Sequence, residues 1–287
     1  MNIAMSGATG FIGGHLTRAF ESRNWKVIPL RRDDFMLEDE IFLRKFEDID
    51  VVINMAGMTI ATRWTEEYKK QLFSSRIDTT KRIVLALKKI PQKPRLFISI
   101  SAVGIYRTQG DHTEEDTNYA QDFLGRLAFD WEQMALRAKE AGVRTVIFRL
   151  GVVLGSNGGA LQKMLLPFRT GLGGIIGDGK QPFPWVHIED LIRAFHAVIE
   201  NENYEGTYNL TAPNPTTNEG LTKALGNALH KPTFMRVPAF VLKLQLGEAA
   251  KVLLEGQRVF PKRLTESGFV FAFTEIERAI SDLVKEG

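Results

Sequence analysis

The chain has 287 residues, 44% of them apolar and 25% charged, which suits one large or two modest domains of an ordinary soluble protein. Lysine plus arginine (37) exceeds aspartate plus glutamate (34) by only three, so the charge calls for no nucleic-acid partner. The absence of cysteine excludes disulfides, cysteine nucleophiles and thiolate metal sites, and fits a reducing compartment.

Regular structure is expected from residue 2. Asn2–Ser6 is a short apolar run suited to a buried strand. Gly7, Gly10 and Gly13 follow at a three-residue spacing, and Phe11, Leu16, Ala19 and Phe20 are spaced as the inner face of a helix. Strand, glycine turn and helix are in the order a dinucleotide-binding unit needs. The turn needs permissive backbone, a pyrophosphate needs close approach of N–H groups, and the helix must pack close to its strand. Gly7, Ala8, Thr9, Gly10, Phe11, Ile12 and Gly13 are therefore candidate cofactor contacts; a plain tight turn is the alternative.

Lys26–Leu30 reads as the second strand and ends in Arg31 and Arg32. This is where an adenosine ribose lies, and an arginine there accommodates a 2′-phosphate whereas an acid takes the 2′-hydroxyl. Arg31 and Arg32 favour NADP(H), and Asp33 and Asp34 keep NAD(H) open. Residues 38–46 suggest a short helix. Val51-Val52-Ile53 is the third strand, followed by Asn54, Ala56 and Gly57; the last two are small enough to let a cofactor pass, and Asn54 is placed to bond it or the neighbouring loop. Residues 58–64 read as a loop and 66–89 as a helix closed by Pro91 and Pro94. Residues 95–100 form another strand, with Ser99, Ser101 and Tyr106 at its carboxyl end, where open α/β sheets hold ligands.

An acidic loop at 113–118, a helix over 122–141 and a strand over 143–150 continue the alternation. It predicts a doubly wound parallel sheet with helices on both faces. Glycine-rich loops at 155–159 and 171–179 flank an apolar helix at 160–169, and loops of this kind shape pockets. A strand at 183–188, a helix at 189–199, a strand at 204–210, a helix at 217–229 and a mainly helical tail with an apolar run at 269–273 complete the chain. The expected division is 1–155 with about 180–205 as the nucleotide domain, and 156–179 with 206–287 as the smaller one.

The motifs resemble the extended short-chain dehydrogenase/reductase superfamily: SGATGFIGGHL at 6–16, NMAG at 54–57, SISAVGIY at 99–106, RLGVVLG at 149–155 and WVHIEDL at 185–191. More narrowly, the chain is similar to a sugar-nucleotide-epimerase-like branch whose members are called epimerase family proteins or cell-division inhibitors. That likeness rests on RW at 63–64, SSRIDTT at 74–80, DFLGRLAFDWE at 122–132, GGALQKMLLPFRTGLGG at 158–174 and GQRVFPKRLTESGFVFAF at 256–273. It implies a Rossmann-type α/β fold that binds NADP(H), a smaller C-terminal helical substrate domain, and a weak expectation of a homodimer. Nothing else in the chain speaks for a role in cell division.

Enzymes of the superfamily use a serine or threonine with Tyr-x-x-x-Lys on a helix. The lysine, one turn on, lowers the tyrosine's ordinary pKa of about 10 so that it can exchange a proton near neutrality. Ser101 matches the serine, with Ser99 next to it in rank, but no Tyr-x-x-x-Lys exists. Phe123 and Leu127 stand at the tyrosine and lysine positions, and Arg126 is about 100° round the helix. Tyr106 is the first candidate substitute, or else a packed aromatic. His187 is a second, or a structural histidine; Glu114 and Glu115 are a third, or a solvated loop. Arg63, Trp64 and His187 are expected around a substrate pocket, and Arg76 is placed to meet an anionic group. The five histidines show no metal-binding spacing, so no metal is expected.

Two functions follow. One is an NADP(H)-dependent oxidoreductase or epimerase acting on a small or nucleotide-linked molecule. The other is a non-catalytic NADP(H)-binding regulator or scaffold. With no apolar run near the roughly 18 residues of a membrane span and no space for a leader, the protein is expected to be cytoplasmic and to need no membrane.

Overall fold

The computed structural model describes residues 1–285. Its centre is a six-stranded sheet of β1 (Asn2–Ser6), β2 (Lys26–Leu30), β3 (Val51–Asn54), β4 (Leu96–Ala102), β5 (Arg144–Leu150) and β6 (Gly206–Leu210). The order across the sheet is β2-β1-β3-β4-β5-β6, and every neighbouring pair is parallel. The strand order reverses at β1, so a crevice opens beyond the carboxyl ends of β1 and β3.

Both faces of the sheet are buried, which explains the continuous apolar runs. Ile3, Met5, Ile53, Ile98, Val146 and Phe148 point to one side. They pack under α1 (Phe11–Glu21), through Leu16 and Phe20, and under Ile188–Glu200, through Leu191 and Phe195. Ala4, Val52, Phe97 and Ile147 point to the other, under α2 (Glu66–Lys89) through Ile83, Val84 and Leu87. The alternation is the period-2 pattern of a strand.

The expected helix at 122–141 is shorter. It runs as α3 (Phe123–Leu136), capped by the Asp122 carboxylate on the Gly125 N–H at 3.0 Å, then tightens to a 3₁₀ turn and stops at Gly142 with φ +74. Pro184, which lacks an N–H, splits the expected strand at 183–188 into Pro182–Phe183 and Trp185–His187.

The domain division needs one correction. Gly206–Leu210, assigned to the smaller domain, pairs residue for residue with β5 and forms the edge of the main sheet. Its Asn209 then reaches the Phe260 carbonyl at 3.0 Å, and Thr211 reaches Val259 at 3.3 Å. The C-terminal segment is thereby tied to the sheet edge. The rest of the second body holds α4 (Gly159–Arg169), Asn218–Leu229, Ala239–Leu246 and Ile276–Lys285, with Gly174–Ile176 paired to Met235–Val237.

Candidate functional site

The glycine turn is sterically committed. Gly7 has φ +73, and a Cβ there would lie 2.8 Å from the Met55 carbonyl oxygen. A Cβ on Gly13 would lie 2.2 Å from the Gly7 oxygen, so α1 starts against its own strand with no space for a side chain. Gly10 is the N-cap residue of α1; no side chain caps the helix and no acid occupies its first turn. The first amides therefore lack intrahelical acceptors at the positive end of the helix dipole, which suits a phosphate. Phe11 leans outward, and its ring occupies the space that Cβ atoms on Gly155, Gly158 and Gly159 would need (2.6–2.8 Å). The glycine-rich loop at 155–159 thus passes directly over the start of α1.

At the end of β2, Arg31 and Arg32 are both exposed. Asp34 turns back: its carboxylate takes the Arg31 N–H at 2.7 Å and pairs with Lys45 at 2.9 Å. Burial alone would raise the Asp34 carboxyl; the Lys45 and Arg31 contacts outweigh it and hold it below its usual value.

Asn54 and Ser99 do not reach the crevice through their side chains. Asn54 is fully buried, accepts from Ser6 Oγ at 2.7 Å and donates to Thr80 Oγ1 at 2.7 Å. Ser6 in turn takes the N–H groups of Met55 and Ala56 at 3.0 and 3.1 Å, which fixes the backbone ahead of Gly57. Ser99 is buried within β4.

A cavity of about 420 Å³ opens where the carboxyl ends of β4 and β5 meet α3 and the second body. Its walls include Ile100, Leu127, Trp131, Met164 and Phe183, and its polar lining includes Arg76, Ser101, Gln181 and Lys251. Ser101 is 3% exposed and its hydroxyl has no partner. The Gln181 Oε1 is also buried and unpartnered, although its amide donates to the Ile176 and Leu253 carbonyls at 3.1 Å. Buried polar atoms are normally satisfied, so two orphaned acceptors in one cavity point to a ligand. Arg76 donates to the carbonyls of Leu72 at 3.2 Å and Met58 at 2.9 Å, and lies 5.3 Å from the Trp131 ring centre and close against Gly57. Burial pushes its guanidinium down to about 10, so it stays charged at neutral pH.

Three expected residues lie elsewhere. Arg63 is exposed and reaches toward the Leu244 carbonyl at 3.5 Å. Trp64 is buried against Phe123 and donates to the Ile60 carbonyl at 3.0 Å. His187 caps the helix Ile188–Glu200 with Nδ1 on the Glu189 N–H, stacks on Phe273 at 3.7 Å and lies 3.4 Å from Asp282. It joins the C-terminal helix to the core and does not line the cavity.

Tyr106 lends ring atoms to the cavity, but its hydroxyl is committed. It donates to Asn209 Oδ1 at 2.8 Å and accepts from Arg149 at 2.7 Å. Burial pushes it up despite Arg149, the opposite of what a catalytic tyrosine requires. The packed reading of Tyr106 is the one the geometry supports. Glu114 accepts the Asn209 N–H at 2.8 Å and the Arg263 N–H at 3.3 Å, while Glu115 pairs with Lys262 at 2.6 Å. Both brace the C-terminal segment. Leu127 faces the cavity, Phe123 packs on Trp64 and Arg126 is exposed, so no cation replaces the missing lysine.

Composition and spacing did not reveal the most buried charge network. Arg149 on β5 makes a bidentate pair with Glu132 on α3 at 2.8 and 2.7 Å, both about 4% exposed, and also reaches Tyr119 at 3.0 Å. The two residues come from different elements, so only their unusual burial in a strand and a helix could have signalled them. Asp190 was missed for a similar reason. Fully buried, it takes the N–H groups of Ala272 and Phe273 at 2.7 and 2.9 Å and holds the apolar run at 269–273 to the core.

Residues 3–211 match the family model described as the NAD dependent epimerase/dehydratase family. The chain belongs to that family. Residues 237–283 match a second model, a domain of unknown function, DUF1731, over the C-terminal body. Among the relatives of this family member is the epimerase family protein YfhF of Bacillus subtilis (strain 168), 37% identical over 300 residues that span 100% of this chain and 99% of that protein. Among solved structures, the human epimerase family protein SDR39U1 (isoform 2) with NADPH superposes with a TM-score of 0.92 at 32% identity, covering all of both chains. UDP-glucuronic acid 4-epimerase from Bacillus cereus, with UDP-glucuronic acid and NAD, has a TM-score of 0.80 at 20% identity, covering 100% of this chain and 99% of that one; it shares the fold. Among the described residues of this epimerase-family chain, no cluster of three or more histidines and carboxylates could hold a metal, and no helix is long and apolar enough to cross a membrane.

The His187 joint carries a pH signature. Burial pushes its imidazole from 6.5 down to about 4, with Asp282 pulling the other way. The unfolded chain then binds the extra proton, so this contribution is intact above about pH 6.5 and is lost as pH falls toward 4. His187→Asn is expected to be less stable than the parent at neutral pH, and the gap between their unfolding free energies in urea titrations to narrow by about 2 kcal/mol on going to about pH 5. An unchanged gap would mean that the His187 imidazole binds its proton equally well in the folded and unfolded chain.

Proposed function

We propose that the protein binds NADP(H) across the glycine turn and acts as an oxidoreductase or epimerase on a small molecule held in the cavity. The orphaned Ser101 hydroxyl carries the reading: a buried donor and acceptor at the end of a central strand, in a chamber with space for a ligand. The residues fit the cofactor. The turn is a cradle that a Cβ at Gly7 or Gly13 would fill, the uncapped start of α1 suits the pyrophosphate, and Arg31 and Arg32 suit a 2′-phosphate. NADPH in the human relative supports the same assignment.

Bound there, the nicotinamide would supply or accept a hydride. Ser101 would hydrogen-bond the substrate oxygen and fix its orientation. The apolar faces of Leu127 and Trp131 would exclude water from the reacting carbon. With the Tyr106 hydroxyl and His187 both committed elsewhere, neither is placed to exchange that oxygen's proton.

A panel of carbonyl compounds, quinones and sugar nucleotides, tested for NADPH oxidation and for interconversion of the compound with cofactor bound, tests the reading. On the substrate found, Ser101→Ala is expected to lower kcat/KM by about tenfold, the worth of one neutral hydrogen bond, with NADPH affinity unchanged. Full activity in the variant would remove Ser101 from the reaction.

A second reading, a cofactor-dependent regulator without turnover, draws on Phe123 and Leu127, which put carbon where the superfamily has its proton-exchanging pair. It predicts partner binding that depends on NADPH, with no panel compound reduced at the expense of NADPH. Equal partner binding with and without NADPH would sink it.

A further inference from the structure

Arg76 is a charge without a counter-ion. Two of its five N–H groups are used, both on backbone carbonyls, and its remaining contact is the Trp131 ring. No carboxylate among the described residues forms an ion pair with it. Arg76 is half-buried, and contacts limited to carbonyls and a ring leave its other N–H groups for an anion.

The cavity around it limits which anion fits. Besides Arg76, the lining cation is Lys251, which is exposed and lies 3.9 Å from Asp122, itself a lining residue. A dinucleotide's phosphates have their own places at α1 and at Arg31 and Arg32. Arg76 is left as the lining cation without a carboxylate partner, in a cavity that Ile60, Ile100, Leu127, Trp131 and Ser101 also line and whose lining carboxylates are Asp122 and the exposed Glu255. A nucleoside diphosphate would bring two further negative charges, and the one other lining cation, Lys251, already lies beside Asp122.

We propose that the cavity takes an apolar molecule carrying a single carboxylate, with Arg76 as the residue that selects the charge and Ser101 meeting its carbonyl or hydroxyl oxygen. This rests on the reading of the cavity as a substrate chamber beside NADP(H). Arg76 presents a planar fork that matches a carboxylate, and the apolar walls supply the area for an aromatic or branched aliphatic body.

The test is calorimetry on the full chain. NADP⁺ is titrated first. Phenylbutanoate and naphthylpropanoate, each against its neutral amide, and UDP-glucose are then titrated with and without NADP⁺ present. The acids are expected to bind at least about tenfold more tightly than their amides, and UDP-glucose not to compete. Arg76→Gln is expected to lose that preference while keeping parental NADP⁺ affinity, and Arg76→Lys to restore part of it. Equal binding of acid and amide, no binding of either acid, or a loss of NADP⁺ affinity in Arg76→Gln would each overturn the proposal. The acid-to-amide comparison on the parent stands even if a variant fails to fold. Failure of NADP⁺ to bind sinks the cofactor reading alone, since the arm without NADP⁺ still tests Arg76.

Discussion

Arg149→Met is expected to destabilise the protein by about 3–5 kcal/mol, read as a shift of the urea midpoint at unchanged slope. Glu132 would be left about 4% exposed with no cation, and the Tyr106 and Tyr119 hydroxyls would each lose a donor. Burial alone would push the Arg149 guanidinium down; the Glu132 and Tyr106 oxygens outweigh it and keep it charged. The pair matters to the site because α3 carries Leu127 and Trp131, and β5 ends in Leu150, which also lines the cavity. Arg149 and Glu132 therefore pin two cavity walls together. Replacing both, as Arg149→Met with Glu132→Leu, is expected to recover most of the loss, because no uncompensated charge then remains. A single variant within about 1 kcal/mol of the parent would mean that water reaches Glu132 and the charges are not enclosed.

The second large effect concerns cofactor choice. The double variant Arg31→Ala with Arg32→Ala is expected to lower NADPH affinity about a hundredfold and leave NADH affinity unchanged, because two charge-assisted contacts to a 2′-phosphate are worth close to 3 kcal/mol. Both side chains are exposed, so stability should not change. Of the two acids beside them, one is engaged by its neighbours. Asp34 is occupied by the Arg31 N–H and Lys45, so it does not offer a free carboxylate to a ribose hydroxyl. A loss of NADH affinity equal to that of NADPH would show that the arginines contact the adenosine in common rather than its phosphate.

The glycine turn was legible because its demands are local and steric: three glycines in seven residues, straight after an apolar strand. The sheet was legible because both its faces are buried, leaving unbroken β-rich runs. The missing Tyr-x-x-x-Lys could also be read directly, since it is a spacing on one helix. What escaped was chemistry between distant elements. Asp190 meets residues 82 and 83 positions away, Arg149 meets Glu132 across a strand–helix interface, and His187 faces Asp282 from the far end of the chain. A sequence gives each of these residue types without its partner. Tyr106, Asn54 and His187 were drawn toward the site by their place in motifs, and the packing then claimed their polar atoms. Arg76 and Ser101 are the expected site residues that line the cavity and keep hydrogen-bonding capacity the packing leaves unfilled.

The proposed NADP(H) site on the turn at residues 7–13, with a preference set by Arg31 and Arg32, is best checked by a parallel calorimetric titration of the purified protein with NADPH and NADH. One site per chain and at least about tenfold tighter binding of NADPH are expected. Equal binding of the two would contradict the role of Arg31 and Arg32, and no binding of either would mean that the glycine cradle no longer serves a cofactor.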